Sequence, residues 1–291
     1  MTPRFFLFVF GLAIGSFLNV VSLRYDPEQF LFKKSALGGR SACPNCQNKL
    51  KWFELIPLLS FLFLRGRCKN CHAKISWQYP LVELASALIF VFVPHFLSNL
   101  PAIKLLNLSV VSRWPLVISY LLVFLTLLLV SLIDIRLRLI PDEANLLLVL
   151  IGFALIFLLP PNPGGSLFSF SGSFALLFGL QNNIWLNRLL AVLFGIVFYG
   201  LLIFITRGRG MGLGDLKLTA ALGVVFGWPD ILLLTAFSFI IGSLFSLPSL
   251  VRKKRGLKSF LPFGPFIALG AVTVFFFAED LMRLYFSFFH G

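Results

Sequence analysis

From Phe5 to Leu23 the chain carries no charged side chain, and a helix of that length, rising about 1.5 Å per residue, crosses a hydrocarbon core of about 30 Å. Comparable apolar runs recur at Pro80–Leu97, Trp114–Ile133, Ala144–Leu159, Arg188–Thr206, Ile231–Leu250 and Phe260–Ala278, with a shorter one at Leu216–Trp228. No soluble fold of 291 residues accommodates that pattern. Only 12% of the residues are charged and 58% are hydrophobic, whereas a soluble domain carries about 25% charged residues. The pattern predicts an all-α polytopic membrane protein with about eight transmembrane helices.

The first run is read as a membrane helix rather than a cleaved signal: only Arg4 precedes it, no small-x-small site closes it, and Asn19 lies inside it. Residues 24–79 are the one stretch long and polar enough for an extramembrane domain. The expected organisation is therefore a first helix over 1–23, a cysteine-bearing domain over 24–79 and a seven-helix membrane domain over 80–291. Between 161 and 187 the chain is rich in Gly, Ser, Asn and Pro, and its short apolar piece Phe174–Leu180 is too short to span.

Positive charge tests the orientation. With the N-terminus outside, 20 of the 25 Lys and Arg fall on inside loops, the other five being Arg4, Lys104, Arg113, Arg188 and Arg283; the asymmetry follows the positive-inside rule. The net charge of +14 is thereby explained by topology, including the run Arg252-Lys253-Lys254-Arg255. Nucleic acid is not an expected partner; the lipid bilayer is.

Cys43-Pro-Asn-Cys46 and Cys68-Lys-Asn-Cys71 form two C-x-x-C turns. Paired turns of this kind present four thiolates to a tetrahedral Zn²⁺, and a reducing cytoplasm disfavours disulfides. Four thiolates leave no open coordination position, so the expected Zn²⁺ is structural, with His72 the nearby competitor as a ligand. This places a small cytoplasmic zinc-binding domain between the first and second helices.

Asp134 ends the third span and Asp215 opens the sixth, after Gly210-Met211-Gly212-Leu213-Gly214. A carboxylate at a helix centre in hydrocarbon costs about 2.5–3.5 kcal/mol on translocon scales. Two that meet across a bundle share a proton, so one acts as base on water and the other as acid on a carbonyl. Plainer readings stand beside this: Asp215 as the N-cap of a helix from Leu216, Asp134 paired with Arg136 or Arg138, Asp142 as the N-cap of the fourth span. Lys217 is either an interfacial anchor or a partner of Asp215. Asp142 and Glu143 are rival carboxylates, but Pro141 breaks the helix between Asp134 and Asp142. Glu83 is a hydrogen-bonding group of the bundle or part of a polar cavity. His95 and His290 look like outer-boundary residues, and no Ser–His pairing supports a serine mechanism.

Several stretches together closely resemble the type IV prepilin peptidases: Gly15-Ser-Phe-Leu-Asn-Val20, both cysteine turns, Ile56-Pro-Leu-Leu-Ser60 with Leu64-Arg-Gly-Arg-Cys68, Tyr79-Pro-Leu-Val-Glu83, Ile133-Asp134 with Ile140-Pro-Asp142, Gly212-Leu-Gly-Asp215-Leu-Lys217 and Pro262-Phe-Gly-Pro265. The resemblance implies an inner-membrane aspartic protease of the G-x-G-D type with Asp134 and Asp215 catalytic. It implies cleavage of the basic leader of prepilins or pseudopilins after glycine at the cytoplasmic face, serving type IV pili or type II secretion. It also implies N-methylation of the new N-terminal residue, usually Phe, by S-adenosylmethionine. Leu55 stands where many members have Asn, and no glycine-rich fingerprint follows a strand, so methyl transfer is expected on the resemblance alone. Asp26, Glu28 and Glu54 are the expected contacts for a basic leader. The alternative is a transporter or channel using intramembrane carboxylates; a zinc-stabilised scaffold is a further rival.

Overall fold

A computed structural model describes residues 3–28, 30–31, 39–100, 110–158, 169–179, 183–251 and 262–289. Nine α-helices occur among them: α1 Pro3–Arg24, α2 Leu59–Phe63, α3 Gln78–Asn99, α4 Val110–Leu137, α5 Asp142–Leu158, α6 Ile184–Thr206, α7 Leu213–Phe226, α8 Asp230–Val251 and α9 Gly264–Phe289. There are also two short 3₁₀ turns, Trp52–Leu55 and Gly172–Phe178, and among the described residues no strand beyond isolated bridges. Within this all-α chain, six helices are long and apolar enough to cross a membrane: α1, α3, α4, α6, α8 and α9. The other two expected spans exist as the shorter helices α5, of 17 residues, and α7, of 14. The basic run Arg252–Arg255, the Pro160-Pro161 stop, Lys33, Lys34, Lys104, Lys258 and His290 lie outside the described residues.

The chain forms two compact units, Met1–Leu97 and Ser98–Gly291. In the first, α1 and α3 approach closely because small residues line α1. A Cβ added at Gly11 would meet the Ala87 backbone at 2.6 Å, and one at Gly15 would meet Glu83 Cα at 2.8 Å. No hydrophobic drive separates apolar helices from lipid, so close backbone approach and polar contacts hold such a pair. Phe10 and Phe90 seal it edge to face, with centroids 5.3 Å apart. At its far end, Arg4 Nη2 lies 3.1 Å from His95 Nδ1.

In the second unit the short helix α7 packs between α5 and α6, α9 packs against α8 and α4, and α4 packs on α5. Glycine makes the first of these possible: a Cβ at Gly223 would lie 2.9 Å from Ala191 backbone atoms, and one at Gly152 would lie 2.8 Å from Val224 Cγ1. Enclosed in this way, α7 buries Leu218, Ala221, Leu222, Val224, Val225 and Phe226, so neighbouring helices replace the length it lacks. Rings of Tyr120 and Phe124 on α4, of Phe275 on α9 and of Phe170, just before the 3₁₀ turn Gly172–Phe178, pack together, with Phe124 and Phe170 each 4.8 Å from Phe275 between centroids.

Polar groups close one end of this unit. Asn183 caps α6, accepting from the N–H groups of Trp185 and Leu186. Helix α6 thus starts before Arg188, which is buried within it rather than placed in a boundary loop. Arg188 Nη1 donates to Val225 O at 3.0 Å, and Asn187 brackets Trp228 through that residue's N–H and C=O. Asp230, fully buried, accepts from Ser169 Oγ at 2.7 Å and from the N–H groups of Phe170 and Ser171 at 2.8 and 3.2 Å.

Candidate active site and metal centre

Helix α4 continues one turn past Ile133, so Asp134 lies within its last turn and is 5% exposed. Arg138, at φ +55°, ends the helix and donates its N–H to Asp134 O at 2.8 Å. The chain then breaks before Asp142 opens α5, as Pro141 requires. Asp134 Oδ2 accepts the N–H of Gly264, the first residue of α9, at 2.8 Å. A Cβ at 264 would stand 2.8 Å from the same oxygen, so a larger residue there must displace the carboxylate.

Asp215 does not cap a helix beginning at Leu216. Helix α7 begins at Leu213 with Gly212 as N-cap, and Asp215, in the third position, reaches back so that Oδ2 accepts the Gly212 N–H at 3.1 Å. This is half of a capping box, which satisfies one of the free amides of a helix start. It also fixes the carboxylate over the helix N-terminus, where the dipole favours negative charge. Asp215 is 9% exposed, and the charge of Asp134 acts on it. Two buried carboxylates, from α4 and α7, thus share one electrostatic environment, each held by one glycine N–H.

The glycines before Asp215 divide their work. A Cβ at Gly214 would press on Ile140 Cβ at 3.2 Å, so that residue is small for packing. Gly212 is exposed, and an added Cβ would meet Asp215 Oδ2 and Gly214 N only in ordinary contact, both 3.8 Å away, so no other group packs over it beside the carboxylate. Of the glycines in this loop only Gly208 has a left-handed backbone, at φ +70°, directly after Arg207 at φ +51°.

Lys217 does not serve Asp215. Its Nζ pairs with Asp142 Oδ1 and Oδ2 at 2.8 and 2.9 Å, joining the starts of α7 and α5 in an exposed salt bridge. Asp142 is accounted for by that pairing. Two buried groups near these carboxylates carry no local signal of a role: Gly264, visible in the sequence only as part of Pro262-Phe-Gly-Pro265, and Tyr199. The Tyr199 phenol lies against Thr219 and Thr235 and within electrostatic reach of Asp215; Thr219 Oγ1 in turn donates to Asp215 O at 2.9 Å.

In the first unit the two cysteine turns repeat one another. The N–H of Cys43 donates to Asn48 O and that of Gln47 to Cys43 O; likewise the N–H of Cys68 donates to Ala73 O and that of His72 to Cys68 O. Gln47 and His72 both sit at φ +55°, and bridges Ala42–Lys49 and Arg67–Lys74 close the turns. His72 is therefore a turn residue, and the gathered group is Cys43, Cys46, Cys68 and Cys71.

Their sulfurs all lie within 4.8 Å of one another, with Cys43 Sγ and Cys71 Sγ 3.8 Å apart. A tetrahedral metal with M–S bonds of about 2.3 Å has S···S edges of about 3.8 Å, so the set fits such an ion. Asn45 donates to Cys71 Sγ and Asn70 to Cys46 Sγ, each turn supporting the other. The N–H of Ala73 and the Asn45 amide hold the Cys71 thiol down to about 6, and thiolate is the form that binds metal.

Of the acids expected to meet a basic leader, Glu54 Oε2 accepts its own turn's Lys51 N–H at 2.7 Å and Asp26 Oδ1 accepts the Glu28 N–H at 3.1 Å. Both side chains are half-buried.

Comparison with known proteins agrees with this division. Residues 9–96 match the Bacterial Peptidase A24 N-terminal domain, and residues 121–247 match the Type IV leader peptidase family. A prepilin leader peptidase/N-methyltransferase of Bacillus subtilis is 30% identical over 96% of each chain. The chain belongs to the prepilin leader peptidase family. Its relatives of the same description include one from Pectobacterium carotovorum, 33% identical over 91% of this chain and 89% of its own, and one from Pseudomonas aeruginosa, 30% identical over 96% and 91%. No solved structure matches the chain. The N-terminal family segment covers most of α1, the cysteine turns and nearly all of α3, and the peptidase segment covers both Asp134 and Asp215.

Proposed function

We propose that this chain is an intramembrane aspartic endopeptidase that removes the basic leader of type IV prepilins or pseudopilins after glycine, at the cytoplasmic membrane face, and then N-methylates the new N-terminus. The proteolytic reading is supported by two buried carboxylates in one unit, Asp134 and Asp215, each accepting one glycine N–H and lying within electrostatic reach of the other. Like charges in such a site favour a single shared proton. The ionised carboxylate takes a proton from water as that water attacks the scissile carbonyl. The protonated partner hydrogen-bonds the carbonyl oxygen and then supplies the proton that the leaving amine requires. The open space at Gly212 gives a substrate backbone room beside Asp215, and the catalytic pair belongs to the membrane domain expected over 80–291.

The four cysteines, in the domain expected over 24–79, are the residues that would hold a structural Zn²⁺. With all four positions occupied by protein, that ion supplies folding free energy rather than chemistry. Methyl transfer draws on S-adenosylmethionine as donor and is supported by the N-methyltransferase description shared by the relatives. A transporter is the competing class for buried membrane carboxylates. Incubating the purified protein with a full-length prepilin separates the two. A shortened product beginning after glycine supports the peptidase, and an uncut prepilin contradicts it.

A further inference from the structure

A buried carboxylate unrelated to the dyad lies in the first unit. Glu83 on α3 is 6% exposed, in a helix apolar enough to span a membrane, where an ionisable side chain is costly and usually marks a site. Gly15 brings α1 against it: a Cβ at Gly15 would lie 2.8 Å from both Glu83 Cα and Ser86 Cβ.

The surrounding groups are polar, neutral and only partly paired. Glu83 Oε2 accepts the N–H of Leu58 at 2.8 Å, and Leu58 adopts φ +58°, a left-handed conformation strained for a non-glycine residue. Ser16 also hydrogen-bonds the carboxylate. Gln78 Nε2 donates to Asn19 Oδ1 at 2.9 Å. Asn19 Nδ2 and Ser86 Oγ, on residues with no exposure at all, have no hydrogen-bond partner. Among the described residues no cation pairs with Glu83. A seam built only to join two helices would satisfy its own donors, since a buried donor left unpaired is destabilising.

We propose that Glu83, Asn19 and Ser86 bind the methyl acceptor, the α-ammonium group and first peptide unit of the mature pilin N-terminus. This rests on the N-methyltransferase reading above. The carboxylate supplies the missing countercharge for the ammonium, a charge-assisted contact about twice as strong as a neutral one. The Asn19 amide donates to the first peptide carbonyl, and the Ser86 hydroxyl takes a second ammonium hydrogen. Glu83 then accepts one proton from the ammonium and passes it to water. The freed nitrogen lone pair forms a bond to the methyl carbon of the sulfonium donor. The carbon–sulfur bond breaks with its electron pair left on sulfur, giving a neutral thioether and a secondary ammonium. Cleavage would thus be carried by residues of the second unit and acceptor binding by residues of the first.

The test uses the full-length enzyme in detergent with a prepilin substrate and the sulfonium donor, comparing wild type, Glu83→Gln and Ser86→Ala. Mass spectrometry gives the methylated fraction of the cleaved product. That fraction should fall about tenfold or more in Glu83→Gln and severalfold in Ser86→Ala, whose small change leaves the melting temperature in place. A second readout is the binding of a leaderless peptide beginning with Phe, free or N-acetylated. Wild type should prefer the free amine and Glu83→Gln should lose that preference. Unchanged methylated fractions, or a preference that survives in Glu83→Gln, would overturn the assignment. A wild-type enzyme that makes no methylated product contradicts the methyltransferase reading instead, and the peptide preference still decides the ammonium site.

Discussion

The backbone N–H of Gly264 reaches Asp134 Oδ2 at 2.8 Å, and a Cβ on that same glycine would stand 2.8 Å from the same oxygen. The start of α9 is therefore part of the machinery that aims the α4 carboxylate. Gly264→Ala should displace Asp134 and remove a hydrogen bond to a charged group, worth about 1.5–3 kcal/mol. Cleavage kcat should drop about ten- to a hundredfold with KM little changed. Steady-state kinetics on a prepilin peptide would show it, and wild-type kcat would mean that Gly264 does not position the dyad.

Lys217 and Asp142 form the nearest salt bridge in sequence to the dyad, yet it is exposed on both sides. Exposed pairs contribute about 0–1 kcal/mol. Lys217→Ala should leave cleavage within about fivefold of wild type. A loss of a hundredfold would show that the ammonium acts on Asp215 after all.

The four-cysteine set should hold one Zn²⁺ per chain by elemental analysis of purified protein. Cys68→Ser should lose it, since three thiolates and a hydroxyl make a poorer tetrahedral site. Acid should act in the same direction. The free Cys71 thiol is held down to about 6, so it is ionised above that pH and takes up a proton as the pH falls through it. Metal rebinding to the stripped protein should weaken correspondingly below about pH 6. Stoichiometric metal in Cys68→Ser would contradict the assigned ligands.

Asp230 is fully buried and gathers Ser169, Phe170 and Ser171 around its carboxylate. Asp230→Ala strips the acceptor from these buried donors, and a buried donor left without its partner costs about 1–3 kcal/mol. Thermal unfolding in detergent should show a clearly lowered midpoint, and an unchanged midpoint would refute a structural role for this network.

What the sequence made legible were local signals: charge-free runs that give the helices, two C-x-x-C turns that give the sulfur cluster, and carboxylates at run ends. What it hid was set by distance along the chain. Hydropathy ended the third span at Ile133, because Asp134, Arg136 and Arg138 are polar, yet α4 continues to Leu137 and buries Asp134 against α9. The eighth run similarly extends to Phe289, carrying Glu279 and Arg283 as an i,i+4 pair at 2.6 Å. Lys217 sits two residues from Asp215 but finds Asp142, 75 positions away. Asp230 shows no local pattern, because its partners arrive from residues 169–171. Gly264 could be read from Pro262-Phe-Gly-Pro265 as a motif, but its purpose needed the oxygen 130 residues earlier.

The central claim, that Asp134 and Asp215 act as one catalytic pair, is tested most directly by single-turnover cleavage of a prepilin by purified wild type, Asp134→Asn, Asp215→Asn and the double variant. If the pair shares one proton and one reaction, each single variant should lose activity by several orders of magnitude and the double variant should lose no more, because groups acting as a unit are strongly non-additive. Retained zinc content and melting temperature would show that the folds are intact. Cleavage persisting in either single variant at more than about a tenth of the wild-type rate would contradict the account.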